Sequence, residues 1–253
     1  MHIRQFLHRP SASLSYLLAC PESSKALMID PVLDDLTLYL GVLDEMKWQL
    51  ESTLETHLHL DHTTAAAALR QATGAKILVG DPQITNADRR IGDGEQLAIG
   101  TLTLKVIATP GHTPHCLSFY CDGRLFTGDC LLIGDCGNLC ATGADAGRLY
   151  DSITRKLLCF SDETLLYPGH DQQGRQVSCI GDERRNNPLF YGVSRDEFIA
   201  QLANRARSLP AASVEIAVRN RNCGQPLSQK QAETTPRVPI PTPLASRRHR
   251  RQY

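Results

Sequence analysis

Four residues that can bind a metal ion occur within six positions in the segment His57-Leu58-His59-Leu60-Asp61-His62. In an extended segment successive side chains alternate between two faces, so His57 and His59 point to the same side. Asp61 and His62 come where the chain turns toward a helix, and from there both can point back to the same place. Packing alone rarely explains such a cluster, and the segment therefore predicts a metal site.

Three later segments supply further candidate ligands at the ends of predicted strands. Pro110-Gly111-His112 and Pro168-Gly169-His170 each present a histidine after a sharp turn. In Gly128-Asp129 the glycine lets the backbone approach closely, and the carboxylate follows directly. Each of these signals is weak alone. Together, and in this order, they indicate one metal centre assembled from several strand ends.

The hydrophobic pattern predicts the elements that would hold these segments in place. The predicted strands are Ser15–Cys20, Lys25–Ile29, Ser52–His57, Lys76–Val79, Gln96–Ile99, Thr101–Ala108, Leu117–Cys121, Arg124–Thr127 and Thr164–Tyr167. The predicted helices are Leu36–Met46, Thr63–Gln71, Ala146–Cys159 and Asp196–Ala206. Strands occur in both halves of the chain, and each set is followed by helices. This order predicts an α/β fold with two sheets packed face to face and helices outside.

Composition and charge exclude several classes of protein. With 42% hydrophobic and 21% charged residues the chain is expected to fold, and no apolar run is long enough for a membrane span. Residues 1–225 carry a net charge of −5 and residues 226–253 a net charge of +5, a balance that does not indicate nucleic-acid binding. The nine cysteines favour a reducing compartment, and we expect a cytoplasmic protein.

The last 28 residues differ in composition from the rest of the chain. Residues 226–253 contain five prolines and a run of arginines near the end, which predicts a disordered, solvated tail. An electrostatic tether to an anionic surface or partner is the alternative interpretation. We therefore expect one catalytic domain over residues 1–225 and a separate tail over residues 226–253.

These motifs resemble those of the metallo-β-lactamase superfamily, whose fold is an αββα sandwich. Over residues 3–225 the chain is more specifically similar to the persulfide dioxygenase branch. The stretches that carry this similarity are 17–33 (LLACPESSKALMIDPVL), 54–63 (LETHLHLDHT), 92–100 (GDGEQLAIG), 109–120 (TPGHTPHCLSFY), 126–133 (FTGDCLLI), 167–175 (YPGHDQQGR) and 183–188 (ERRNNP). The superfamily motif is very specific for a metal site, and the branch assignment is less specific.

The resemblance implies one Fe²⁺ per chain, held by His57, His112 and Asp129. Two histidines and one carboxylate leave three positions on the metal open, where a substrate sulfur and O₂ can bind side by side. The implied activity is oxidation of a small thiol persulfide, such as glutathione persulfide, to sulfite and free thiol. His170 is then a further catalytic residue. It would act with the remaining residues that orient ligands and relay protons, namely His59, Asp61 and His62.

Two other functions stay open at this stage. Related hydrolases use all seven of these residues to hold two metals, such as zinc or a zinc–iron pair, and to cleave glutathione thioesters in the manner of glyoxalase II. A catalytically reduced binding protein that keeps the site for stability is the other alternative. The expected partners of an enzyme are a small thiol compound and O₂, with no nucleic acid and no membrane span, and a homodimer remains open.

One loop departs from the branch pattern. Where the branch usually has Gly-Cys-Gly-Arg-Thr-Asp-Phe, this chain has residues 135–141, with Asn138, Cys140 and Ala141 at the arginine, aspartate and aromatic positions. A guanidinium is the natural partner of a glutathione carboxylate, so we expect the metal chemistry to be retained and the recognition of glutathione to differ. Cys130, Cys136 and Cys140 are expected to be buried neutral thiols rather than ligands of an iron–sulfur or zinc site.

Overall fold

The computed structural model describes residues 1–170, 174–205, 209 and 211–226. Apart from Pro226, the predicted tail lies outside the described residues. Within the described part of the chain, every helix is too short or too polar to cross a membrane.

The described residues form fourteen strands, arranged in two mixed six-stranded sheets and one small hairpin. In chain order they are β1 His2–His8, β2 Ser13–Ala19, β3 Lys25–Ile29, β4 Gln49–Glu55, β5 Lys76–Val79, β6 Arg89–Arg90, β7 Gln96–Ile99, β8 Leu102–Ala108, β9 Leu117–Cys121, β10 Arg124–Gly128, β11 Leu131–Leu132, β12 Asp135–Cys136, β13 Leu165–Pro168 and β14 Ser178–Cys179. The first sheet has the order β1-β2-β3-β4-β5-β6, and the second has the order β14-β13-β10-β9-β8-β7. β11 and β12 pair only with each other.

In the part of the chain that the structure describes, six α-helices accompany the sheets: α1 Leu36–Met46, α2 Ala66–Thr73, α3 Ala146–Ser152, α4 Ile180–Asn186, α5 Arg195–Ala203 and α6 Ser213–Arg221. The helix predicted over 146–159 changes at Ile153 into a π-helical turn that ends at Leu157. A 3-10 turn over Leu33–Asp35 precedes α1.

All seven residues of β2 are buried, so both faces of the first sheet are covered. The second sheet covers one face, and helices cover the other. Its alternation sends Tyr16 and Leu18 into the core between the two sheets, where they pack near Phe126. The intervening Leu17 points the other way and packs with Tyr39 of α1. Apolar side chains of α3 and α5 cover the outer face of the second sheet in the same way. The predicted αββα sandwich is confirmed.

Seven strands and helices of the described chain were not predicted from the sequence. Four of them, β6, β11, β12 and β14, have only two residues each, too few to show a periodic pattern. β1 is an edge strand, and four of its seven residues, beginning with His2, alternate between exposed and half-buried positions. α4 is a short helix of seven residues. The buried residues of α6 are Ser213, Ala217 and Asn220, which are small or polar, so this helix has no apolar periodicity for sequence reasoning to detect.

Candidate metal centre

The candidate ligands all follow the carboxyl ends of strands. The segment 57–62 follows β4, His112 follows β8, Asp129 follows β10 and His170 follows β13. These strands belong to both sheets, and they bring the predicted residues together at one end of the sandwich.

The first group consists of His57, His112 and Asp129. Their ligand atoms all lie within 4.8 Å of one another, and all three residues are buried. Nε2 of His112 lies 3.7 Å from Oδ2 of Asp129. The structure thus brings together the three residues that the resemblance to the persulfide dioxygenase branch assigned to iron.

Hydrogen bonds behind His57 determine which of its nitrogens faces the centre. The Thr56 hydroxyl donates to Oδ2 of Asp30 at 2.7 Å, and it therefore accepts from Nδ1 of His57 at 2.9 Å. Because Nδ1 carries the proton, Nε2 keeps its lone pair. Burial, and then the nearby His59 and His112, lower the pKa of His57 well below its ordinary value, so the ring is neutral.

His112 is oriented by the loop that departs from the branch pattern. Its Nδ1 lies 2.7 Å from the backbone carbonyl oxygen of Asn138. A carbonyl oxygen can only accept, so Nδ1 of His112 donates and Nε2 keeps the lone pair that faces Asp129. The contact uses the backbone of Asn138, and it is available whatever side chain stands at that position.

A second group lies beside the first and includes Asp61, His62 and His170. Oδ2 of Asp61 accepts from the Ser13 hydroxyl at 2.7 Å and from Nδ1 of His62 at 2.9 Å. His170 stands between two carboxylates, with Nδ1 2.6 Å from Oδ1 of Asp129 and Nε2 3.0 Å from Oδ2 of Asp61.

The charges of this second group support one another. Burial disfavours a charged imidazole, but the adjacent Asp129 and Asp61 outweigh it and raise the pKa of His170 to about 10. Burial likewise disfavours the carboxylates, but hydrogen bonds from His170 and His62 hold the pKa of Asp61 well below the usual range, and the charge of His170 does the same for Asp129. His170 therefore lies between two opposite charges and joins the second group to Asp129 of the first group.

His59 faces two buried carboxylates that the sequence did not point to. Its Nε2 lies 3.1 Å from Oδ1 of Asp30 and 3.3 Å from Oε2 of Glu55. Burial opposes the charge of His59, but Asp30 and then Glu55 raise the pKa of this ring well above its ordinary value. Burial raises the pKa of Glu55 as well. Asp30 follows β3 and Glu55 is the last residue of β4, but nothing in their spacing indicated a contact with His59.

The buried nitrogens fit a bound cation. Among the described residues, Nε2 of His62 has no hydrogen-bond partner, although the atom is buried, and it keeps its lone pair because Nδ1 donates to Asp61. A buried polar atom without a partner is costly, and a metal ion would satisfy such lone pairs. Imidazole nitrogens together with carboxylate oxygens suit iron or zinc. The residues present therefore fit the metal that the fold implies.

Two glycines of the motifs allow the close approach that was predicted for Gly128. Gly128 has φ +52°, and a Cβ there would lie 2.5 Å from Oγ1 of Thr56, the residue that orients His57. Gly111 has φ +149°, and a Cβ there would lie 2.3 Å from the Cα of Leu149. Both positions exclude larger residues, because the backbone of one strand end packs directly on another element.

Helix α6 contacts the metal-binding loop, residues 57–64, from outside the metal centre. Nδ2 of Asn220 donates to the carbonyl oxygens of His59 at 3.0 Å and of His62 at 2.8 Å. Oδ1 of Asn220 accepts from the backbone N–H of Thr64 at 2.9 Å. Sequence reasoning missed this clamp, since a single asparagine in a polar segment gives no signal.

The loop over residues 135–141 carries no second metal site among the described residues. The side chain of Asn138 is exposed, and its Oδ1 accepts from the N–H of Cys140 at 2.9 Å. Cys130 and Cys136 are buried as predicted, and burial raises the pKa of Cys136 to about 12. The prediction was wrong for Cys140, which is half-buried because its loop lies at the surface. All nine cysteines lie within the described residues, and they form no disulfide.

An open groove of about 730 Å³ adjoins the metal-binding loop. Its walls are mostly apolar, and it contacts the loop through Leu58 and Leu60, which alternate with the histidines. The other residues that line it are Asp81, Gln83, Thr113, Pro114, Cys140, Ala141, Thr142, Leu209, Ser213, Val214, Ala217 and Arg221. An organic substrate whose reactive atom is at the metal would extend along this groove.

Comparison with known proteins agrees with the geometry. Residues 8–170 match the family model of the metallo-beta-lactamase superfamily. The persulfide dioxygenase ETHE1 of Mus musculus is 34% identical over 226 residues, which cover 88% of each chain. A hydroxyacylglutathione hydrolase from Polaromonas is 39% identical over 166 residues, which cover 63% of this chain and 62% of the hydrolase.

A solved structure extends the similarity to the fold. The crystal structure of ETHE1 from Myxococcus xanthus superposes with a TM-score of 0.87 and 37% sequence identity, covering 89% of this chain and all of that one. The match spans both sheets and the loops that carry the candidate ligands. The chain belongs to the metallo-β-lactamase superfamily, in which it resembles the persulfide dioxygenases.

Proposed function

We propose that this protein is an iron-dependent dioxygenase that oxidises the outer sulfur of a small thiol persulfide. The observation that carries the proposal is the buried group of His57, His112 and Asp129, whose loop also contributes Leu58 and Leu60 to a mostly apolar groove. The similarity to persulfide dioxygenases over 88% of the chain supports the same reaction. In that reaction one persulfide, one O₂ and one water yield one free thiol and one sulfite.

The chain has a defined part in holding the metal. His57 and His112 would bind through Nε2, since their Nδ1 atoms donate to Thr56 and to the carbonyl of Asn138. Asp129 would supply the one negative charge of the set. Ferrous iron in such a site supplies electrons to O₂ and leaves room for the substrate sulfur beside it.

The neighbouring residues would position substrate and move protons. His170 touches Asp129 through Nδ1, and its Nε2 faces Asp61, so His170 links the ligand carboxylate to the second group. Asp61 is one-quarter exposed, so its carboxylate connects His170 to water. His59 and His62 complete the second group, and Asn220 fixes the backbone of their loop.

A dinuclear hydrolase of glutathione thioesters is the second candidate. The specific observation in its favour is Nε2 of His62, which is buried and has no hydrogen-bond partner among the described residues. Asp61, His62, His170 and Asp129 are the residues that would hold a second ion, and the similarity to a hydroxyacylglutathione hydrolase supports this alternative.

Oxygen uptake with glutathione persulfide tests the proposed function. We expect the purified protein to consume O₂ and to release one sulfite for each O₂. The variant His112→Ala should lose this activity, whereas His115→Ala should keep it, because His115 lies three residues away, is half-buried and is outside both groups. Hydrolysis of S-lactoylglutathione without oxygen uptake would replace the proposal with the hydrolase.

A further inference from the structure

Among the described residues that line the groove beside the metal centre, one is a cation, and its position indicates what the organic part of the substrate carries. We propose that Arg221 binds a carboxylate on the substrate, so that the preferred substrates are persulfides of small aliphatic thiols with one acidic end. This inference rests on the proposed function and adds the substrate class. Arg221 belongs to α6, the same helix whose Asn220 clamps the metal-binding loop.

The walls of the groove favour an aliphatic body. Leu58, Pro114, Ala141 and Ala217 present carbon surface, and the partly exposed Val214 continues it outward. Such a surface gains stability by covering methylene groups, and it offers few partners to peptide groups of a polar ligand. A mostly apolar surface with a few polar groups at defined positions is typical of sites that bind a small organic molecule.

The guanidinium of Arg221 is oriented for this role. Its Nη2 donates to Oε1 of Gln83 at 3.0 Å, which leaves the other donors of a planar fork for a ligand. Asp81 also lines the groove, but it is buried and its Oδ1 accepts from the N–H of Gln83 at 2.8 Å, which fixes the turn. Among the described lining residues, Arg221 is the only cation.

Asn138 does not serve as an alternative carboxylate partner. Its side chain is exposed, bonds the backbone of Cys140 and is absent from the residues that line the groove. The branch pattern has an arginine at position 138. In this chain the positive charge at the groove comes instead from Arg221 of α6.

Matched ligands test the proposal. The persulfides of 3-mercaptopropionate and of 3-mercaptopropionamide have nearly the same size and differ in one negative charge. We expect KM for the acid to be about tenfold lower than for the amide, because a charge-assisted contact at a half-exposed site is partly screened. Arg221→Met should abolish this preference with little change in kcat, and Arg221→Lys should restore part of it.

Arg219 supplies the control on the same helix. It forms an ion pair with Glu215 at 3.0 Å and does not line the groove, so Arg219→Met should keep the preference. Loss of the preference in Arg219→Met, or its survival in Arg221→Met, would overturn the proposal.

Binding of the parent thiols to the protein as purified separates this inference from the proposed function. Calorimetry should show tighter binding of 3-mercaptopropionate than of its amide, and Arg221→Met should remove the difference. This result would stand even if no persulfide were oxidised. Equal binding of the two thiols would refute the role of Arg221, whatever reaction the metal centre performs.

Discussion

Replacing Thr56 with valine tests whether the contacts behind His57 control the metal centre. The two side chains have nearly the same shape, and Thr56 is buried, so packing should change little. The substitution removes the hydroxyl that accepts from Nδ1 of His57 at 2.9 Å and donates to Asp30 at 2.7 Å. His57 then loses the partner that fixes its tautomer.

The size of the effect follows from these contacts. Loss of a partner behind a metal-binding histidine typically weakens metal affinity by about 10- to 100-fold. The free energy of unfolding should fall by about 1–3 kcal/mol, because Nδ1 of His57 and one oxygen of Asp30 lose a buried hydrogen bond. Asp30 keeps its hydrogen bond from the backbone N–H of Thr56 at 2.7 Å. The decrease in the free energy of unfolding should therefore lie toward the lower end of this range.

Thr53 of β4, three residues before Thr56, provides the matched control. Its hydroxyl is buried and has no partner among the described residues, so Thr53→Val should be neutral or stabilising. Metal affinity would be measured by competition with a chelator, and stability by denaturant unfolding of both variants. If Thr56→Val bound metal as tightly as Thr53→Val, the role assigned to the Thr56 hydroxyl would be wrong.

Four further predictions concern the ligands, their packing and the ends of the site. Asp129→Ala should lower iron content well below one per chain and abolish oxygen uptake, while circular dichroism shows an intact fold, because the two sheets bury most of the apolar surface. Gly128→Ala should lower the free energy of unfolding by about 1–3 kcal/mol and weaken metal binding, because the added Cβ would collide with Thr56. Chemical unfolding and metal titration would measure the two effects. Asn138→Arg should leave KM for glutathione persulfide nearly unchanged, since this side chain lies outside the groove, and a clear fall in KM would contradict that placement. Removing residues 227–253 should leave the melting temperature nearly unchanged, because a segment rich in proline and arginine has little apolar surface to bury, and a loss of several degrees would contradict this.

Much of the architecture could be predicted because its signals are local. The strand over Lys76–Val79 and the strand over Leu117–Cys121 were predicted with the bounds that the structure has, since each is a short apolar run between turn residues. The strand predicted over Ser52–His57 in fact covers Gln49–Glu55, because the chain bends before the first histidine. Boundaries set by side-chain contacts rather than by pattern are not visible in a single sequence.

The candidate site likewise contains residues that a local sequence pattern indicates and residues that only the fold brings into contact. That His57, His112 and Asp129 lie close together could be predicted, because ligand types at strand ends form a recognisable order. The roles of Asp30 and Asn220 could not be predicted, since each acts through long-range contacts with the metal-binding loop, and such contacts depend on the fold. The groove escaped prediction for a related reason, as it is built from separate segments of the chain that include the unpredicted helix α6.

Metal content and catalysis, measured on the same preparation, test the central claim most directly. The protein would be purified without added metal, analysed for iron and zinc, and then assayed for oxygen uptake with a persulfide and for thioester hydrolysis. The mononuclear centre predicts about one iron per chain, with oxygen uptake and sulfite release that scale with iron content. Two zinc ions per chain, with thioester hydrolysis and no oxygen uptake, would contradict it.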